Sequence, residues 1–150
     1  MNSNPAWPKL EEETDISFSS EDIEFQLPDE AAVISWLFDV VKRENQTAGT
    51  INFIFCSDDF LHAMNVKYLQ HDTLTDVITF PYSNLHVDGD IFISIDRVRD
   101  NAINLNIPFL NEMYRVMVHG VLHLLRYNDH TEELKKDMRQ KEDTYLTLIE

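Results

Sequence analysis

Pro108-Phe109-Leu110-Asn111-Glu112-Met113-Tyr114-Arg115-Val116-Met117-Val118-His119-Gly120-Val121-Leu122-His123-Leu124-Leu125 decides the fold. Pro108 opens a helix whose apolar residues lie nearly all round, so it reads as the central buried helix of the protein. Two imidazoles stand on it, His119 and His123, four residues apart. That spacing stacks them on one face about one turn apart, where both reach a single ion. Neutral imidazole is a good zinc ligand, and HxxxH on a helix is the core of many zinc-hydrolase sites. The competing reading is a pair of core histidines bonded to backbone, because two buried imidazoles without partners would cost roughly a few kcal/mol each. Tyr127-Asn128-Asp129-His130 follows directly and brings two further donors, which favours the metal.

The metalloprotease form of this motif, HExxH, carries its general base beside the first histidine. Gly120 takes that place here, so peptide hydrolysis by that route loses its base. A glycine inside a helix costs about 1 kcal/mol relative to alanine. Gly120 is therefore expected to serve the close approach of a strand, a ligand or a substrate backbone.

Working outward, Thr131 begins a last amphipathic helix with Leu134, Met138, Tyr145, Leu148 and Ile149. Upstream, Asp90-Ile91-Phe92-Ile93-Ser94-Ile95 reads as a strand, and Asp96 is expected to cap a short helix through Asn101. Thr75 to Phe80 reads as another strand, stopped by Pro81. Ser57 is placed to cap a helix with the face Phe60, Leu61, Met64 and Tyr68, after a β-branched and aromatic strand from Thr50 to Phe55. Pro28-Asp29 opens a helix to about Asn45, and Ile16-Ser17-Phe18 and Ile23 to Leu27 alternate as two short strands would. The pattern is α+β, a small mixed sheet of about four strands packed against about five helices. Residues 1–15 are expected to be a flexible acidic tail, and residues 16–150 a single domain.

A hydrophobic fraction of 43% supplies a core for the 150 residues. Cys56 is the only cysteine, which excludes an internal disulfide and a cysteine-based zinc site. No signal-like start and no apolar run of membrane-spanning length are present, so a cytoplasmic protein without a membrane partner is expected. The formal net charge of -15 weighs against nucleic acid as a partner, since phosphate backbones repel acidic surfaces. Much of the excess lies before residue 31. A local basic surface would have to come from Arg97, Arg99 and Arg115, or from Lys42 and Arg43.

The segment from His119 to His130 resembles the HGxLHLxGYDH motif of the YbeY family, bacterial endoribonucleases and rRNA maturation factors. Asn65-Val66-Lys67-Tyr68, Asp72 and Thr75-Asp76-Val77-Ile78-Thr79-Phe80-Pro81 resemble a second block of that family, NxxYR…D…TDVLSFP, and Gly89-Asp90-Ile91 its GDI. The similarity runs in order from about residue 30 to the end. It implies a zincin-like fold, one zinc ion on three residues, and cleavage of single-stranded RNA in 16S rRNA 3′-end maturation and ribosome quality control. The ribosome and its assembly proteins would be partners, and DNA would not.

By position, His119 and His123 match the first two ligands, and the family's third histidine falls on Asp129, with His130 one step later. Either residue is an acceptable zinc ligand. Asp129 keeps the loop length and is the expected one. Arg126 replaces the glycine before the family's tyrosine, which argues against a left-handed turn there. Leu69 replaces an arginine, with core packing on the Phe60–Leu61–Met64 face as its plain role. Arg126 or His71 would then supply a phosphate-binding cation. Asp76 and Asp90, near strand ends, are candidate bases or orienting groups. The rival readings are a metal-dependent hydrolase of another substrate and a non-catalytic assembly factor with a closed, structural zinc site.

Overall fold

A computed structural model describes residues 15–149. The acidic tail expected before residue 15 lies outside the described residues, and Asp15 itself opens the first strand. The elements are β1 (Asp15–Ser20), α1 (Glu30–Arg43), β2 (Ala48–Cys56), α2 (Asp58–Leu69), β3 (Val77–Pro81), β4 (Val87–Ser94), α3 (Ile95–Leu105), α4 (Phe109–Leu124) and α5 (Glu132–Leu146). The four-stranded sheet has the order β1-β2-β4-β3. β1, β2 and β4 run parallel, and β3 pairs antiparallel to β4 at the edge. Pro81 closes β3 on that edge, where a residue without an N–H is tolerated.

Side chains alternate across the sheet, and the two faces bury unequal cores. Ile51, Phe53 and Phe55 of β2 and Ile91 and Ile93 of β4 join α1, α4 and α5 in the large one. Cys56 turns the other way, into a small cluster with Leu61 of α2 and Ile78 of β3. α4 is the central buried helix that its sequence requires: Met113, Met117, Val118, Val121 and Leu122 are fully enclosed. Each such side chain contributes roughly 1.5–3 kcal/mol. Gly120 brings α4 onto β4, since a Cβ there would stand 2.8 Å from Cγ2 of Ile91. The close approach is to a strand.

Helix starts follow the expected chemistry at Asp29, Ser57 and Thr131, each accepting a backbone N–H of its own first turn. α3 does not. Ser94 caps it by accepting from the Arg97 N–H, and the Asp96 carboxylate accepts instead from the Asp58 N–H at 2.9 Å. α3 also runs past Asn101, to a left-handed Asn106.

The expected strand at Ile23–Leu27 is absent. Its alternation records burial alone: Leu27 is enclosed and Phe25 lies edge-on to Phe55 and Phe109. Leu69 is not packed in the core but 41% exposed, beside a still more open Tyr68. α2 buries only Leu61 and Asn65, so most of its apolar residues lie toward solvent.

Candidate metal centre

Both histidines project from the last two turns of α4, on either side in sequence of the tight Gly120–Ile91 contact. Their Nε2 atoms face each other at 2.9 Å. Asp129 comes from the loop after α4, with Oδ2 at 3.7 Å from the His119 Nε2 and 3.9 Å from the His123 Nε2. Among the described residues these three form the one group of histidine, cysteine or carboxylate side chains disposed to hold a metal ion. His130 stays outside it. Its side chain is exposed, and its N–H is bonded to the Asn128 side chain.

The donor set can be tested for fit. Atoms separated by 2.9, 3.7 and 3.9 Å lie on a circle of about 2.1 Å radius (product of the sides over four times the triangle's area), matching zinc bonds of roughly 2.0–2.2 Å. The far ring nitrogens fix the tautomers. The His123 Nδ1 lies 3.1 Å from the Tyr127 carbonyl, which only accepts, so this nitrogen carries the proton. The His119 Nδ1 lies 2.5 Å from Oε2 of Glu142, and the same reasoning applies. Two Nε2 lone pairs therefore meet at short range, an arrangement satisfied by one shared proton or one cation. Ligating histidines characteristically bond a carboxylate or carbonyl through the other nitrogen in this way.

The titration behaviour agrees. Burial pushes His119 down, but the hydrogen bond and charge of Glu142, with Asp76 and Asp129, outweigh it and hold the group above its ordinary value. Burial and the adjacent His119 push His123 below its own. Of the two rings His119 is the one that more readily takes a second proton, and an ion held between the Nε2 atoms would compete with it.

The ligand loop is held by its turn and by α1. Leu125 ends α4, Arg126 takes φ 79°, and Arg126 and Tyr127 donate back to the His123 and Leu122 carbonyls. This is a Schellman turn with arginine in the left-handed place, contrary to the expectation from sequence. The Arg126 guanidinium offsets the strain by donating to the Ser83 carbonyl and to the Asn84 side chain at 3.0 Å. The Tyr127 hydroxyl donates at 2.5 Å to Glu44, just past α1, which also binds Lys141 and the Tyr145 hydroxyl.

The centre opens on a cleft of about 480 Å³ between α3, α4 and α5, lined in part by His119, Asp129 and Asp76. Asp76 precedes β3 and accepts from the Asn101 side chain at 3.2 Å. Burial raises its pKa, against the nearby charge of His119. Asp90 is not brought here. Its neighbour Ile91 faces α4, so Asp90 points through the opposite face of the sheet, onto Asn52 and Tyr82. Arg126 and His71 do not line the cleft either.

Arg97, Arg99 and Arg115 do not form one basic surface. Arg97 pairs with Asp58 and Asp100, Arg99 lies over Phe109, and Arg115 sits inside the cleft against Glu112 and Glu142. Glu142 is the functional side chain that sequence reading missed. Its signal was a carboxylate on the apolar stripe of α5, between Met138 and Tyr145.

A mixed sheet carrying HxxxH on its buried helix, with a cleft beside it, defines a zincin-like fold in which His119, His123 and Asp129 are disposed to hold a metal ion. The family model described as Endoribonuclease YbeY matches residues 15–150, and the chain belongs to that family. A protein of Amoebophilus asiaticus named Endoribonuclease YbeY is 52% identical over 133 residues, covering 87% of this chain and 90% of its own. Its namesake in Flavobacterium psychrophilum is 48% identical over 135 residues, covering 89% and 96%. The solution structure of TM1509 from Thermotoga maritima superposes with a TM-score of 0.65 at 27% identity, over 90% of this chain and 89% of that one. No helix among the described residues is long and apolar enough to cross a membrane.

Proposed function

We propose that the protein is a zinc-dependent endoribonuclease cleaving single-stranded RNA in the maturation of small-subunit rRNA and in ribosome quality control. It acts in the cytoplasm with the ribosome and its assembly proteins as partners. The carrying observation is a three-ligand group, His119, His123 and Asp129, on the wall of an open cleft. The shared name of the relatives supplies the reaction class. Structural zinc sites are closed by four protein ligands, whereas catalytic ones keep a position open. With His130 outside the group, the assembly-factor reading lacks the closed four-ligand site that would favour it.

When bound, zinc would polarise a phosphodiester oxygen and lower the pKa of a bound water towards about 7. The rest belongs to the chain's own side chains. Glu142 and the Tyr127 carbonyl hold the Nδ1 protons and so keep both Nε2 lone pairs directed at the ion. Asp76, half-buried on the cleft wall and oriented by Asn101, is the group placed to hold or pass a proton. Asp90 and Arg126 have no such position, and their part is to order the sheet and the ligand loop.

The test is cleavage of a 3′-extended small-subunit rRNA precursor by zinc-loaded protein, with the His119→Ala/His123→Ala double variant as control. Cleavage by the wild type alone supports the proposal. Equal cleavage by both, or none by a wild type shown to hold zinc, removes it.

A further inference from the structure

An acidic chain that cuts RNA needs cations where the strand enters, and Leu69 leaves none at the position of the family's arginine. The cleft carries them on another element. Lys135 and Arg139 stand one turn apart on α5 and line the same cleft as His119 and Asp129. Their side chains are 58% and 59% exposed, against 14% for Arg115 deeper in. We infer that Lys135 and Arg139 form a cationic rim that binds RNA phosphates flanking the one at the metal centre. This rests on the proposed RNA substrate.

The pairing of the charges separates the rim from the floor. Arg115 is committed, 2.8 Å from Glu112 and 3.5 Å from Glu142. Arg139 approaches Glu142 with Nε at 3.5 Å and has no other ion pair among the described residues. Lys135 meets Glu132 at 3.8 Å, a pair open to water on both sides and therefore worth little. The other cations near the centre are engaged elsewhere: Arg126 on the β3–β4 loop and Lys141 on Glu44. The four carboxylates of the cleft are engaged too, Glu142 by His119 and Arg115, Glu112 by Arg115, Asp76 by the Asn101 amide, and Asp129 facing the two histidines. An anionic strand thus meets two available cations before the floor. Neighbouring residues at this spacing lie about 5–6 Å apart at Cβ, so both can address one short stretch of backbone. Phosphate contacts of this kind position a strand without reading its sequence.

Lys136 supplies the control, being exposed on the same helix but not on the cleft wall. Binding of a fluorescein-labelled single-stranded RNA oligonucleotide to zinc-loaded full-length protein would be followed by anisotropy across a salt series. Cleavage would be scored separately. Lys135→Gln/Arg139→Gln should weaken binding severalfold for every sequence tried. It should also make the slope of log affinity against log salt shallower by about 1.4, at about 0.7 per phosphate on a single strand. Lys136→Gln should leave affinity and slope as in the wild type. An unchanged slope in the double variant, an equal change in Lys136→Gln, or a wild type that does not bind would overturn the inference. A wild type that binds with the expected slope but never cleaves would remove the enzymatic reading and leave the rim standing.

Discussion

Gly120→Ala probes how α4 is held against the sheet. In an exposed helix the change would stabilise by about 1 kcal/mol. Here the new Cβ would stand 2.8 Å from Cγ2 and 3.2 Å from Cδ1 of Ile91, where carbon atoms prefer roughly 3.5–4.0 Å. Ile91 is fully buried, and the Cγ2 met first is fixed directly to its Cβ on a β-branched side chain with few rotamers. Overpacking of this size costs about 1–3 kcal/mol, so the net effect is destabilisation by about 1 kcal/mol. Ile91→Ala alone should cost about 2–5 kcal/mol through the cavity it leaves.

The three nearest atoms that the new methyl would meet all belong to Ile91. In the Ile91→Ala background Gly120→Ala therefore reverses sign and stabilises. Urea unfolding of the metal-free wild type, both single variants and the double variant measures the coupling. A stabilising Gly120→Ala in the wild type, or a coupling near zero, would refute the close-approach explanation. Relief of the clash by outward movement of α4 would also shift His119 and His123 relative to Asp129. Zinc affinity should then fall with stability.

Three further outcomes follow from the centre. Glu142→Gln removes the charge that holds the His119 Nδ1 proton and should weaken zinc binding about 10–100-fold in a chelator competition; unchanged affinity would deny Glu142 that part. Asp76 has its pKa raised by burial, so its folded form prefers the proton, and wild-type stability is lost as pH rises from the unfolded pKa through the folded one. Asp76→Asn should accordingly stabilise metal-free protein at neutral pH, with the gain disappearing below the ordinary aspartate range; a gain of the same size at every pH would contradict this. At the left-handed Arg126, glycine should give a protein about 1 kcal/mol more stable than alanine does, because both lose the bonds to the β3–β4 loop and only alanine keeps the strain. Thermal unfolding of the two variants reads that difference.

Much of this site could be read before the fold was known, for reasons the fold makes plain. A helix with one polar stripe on an otherwise apolar surface must satisfy that stripe, and His119 and His123 are its only imidazoles. The choice between Asp129 and His130 turned on loop length, and Asp129 is the one that faces the histidines. Glu142 escaped because a glutamate in an amphipathic helix ordinarily meets water; only its place between Met138 and Tyr145 marked it as buried.

The assignment of Asp90 near the centre missed a parity already present in the sequence. If Ile91 faces the helix, Asp90 cannot. The Ile23–Leu27 alternation reported burial correctly but not pairing, which depends on a partner strand distant in sequence. Sheet order has the same origin: β2 pairs with β4, nearly forty residues further along the chain, and not with β3, the next strand in sequence. The left-handed Arg126 depends on bonds to residues 83 and 84, more than forty positions away, which no local propensity encodes.

The most direct test of the central claim is a zinc titration of chelator-stripped protein, with cleavage of single-stranded RNA and bound metal measured on the same samples. Activity should rise in step with zinc and level off at one ion per chain, and Asp129→Ala should lose tight binding while His130→Ala keeps it. Full cleavage by the stripped protein, or tight binding lost in His130→Ala and kept in Asp129→Ala, would contradict the account.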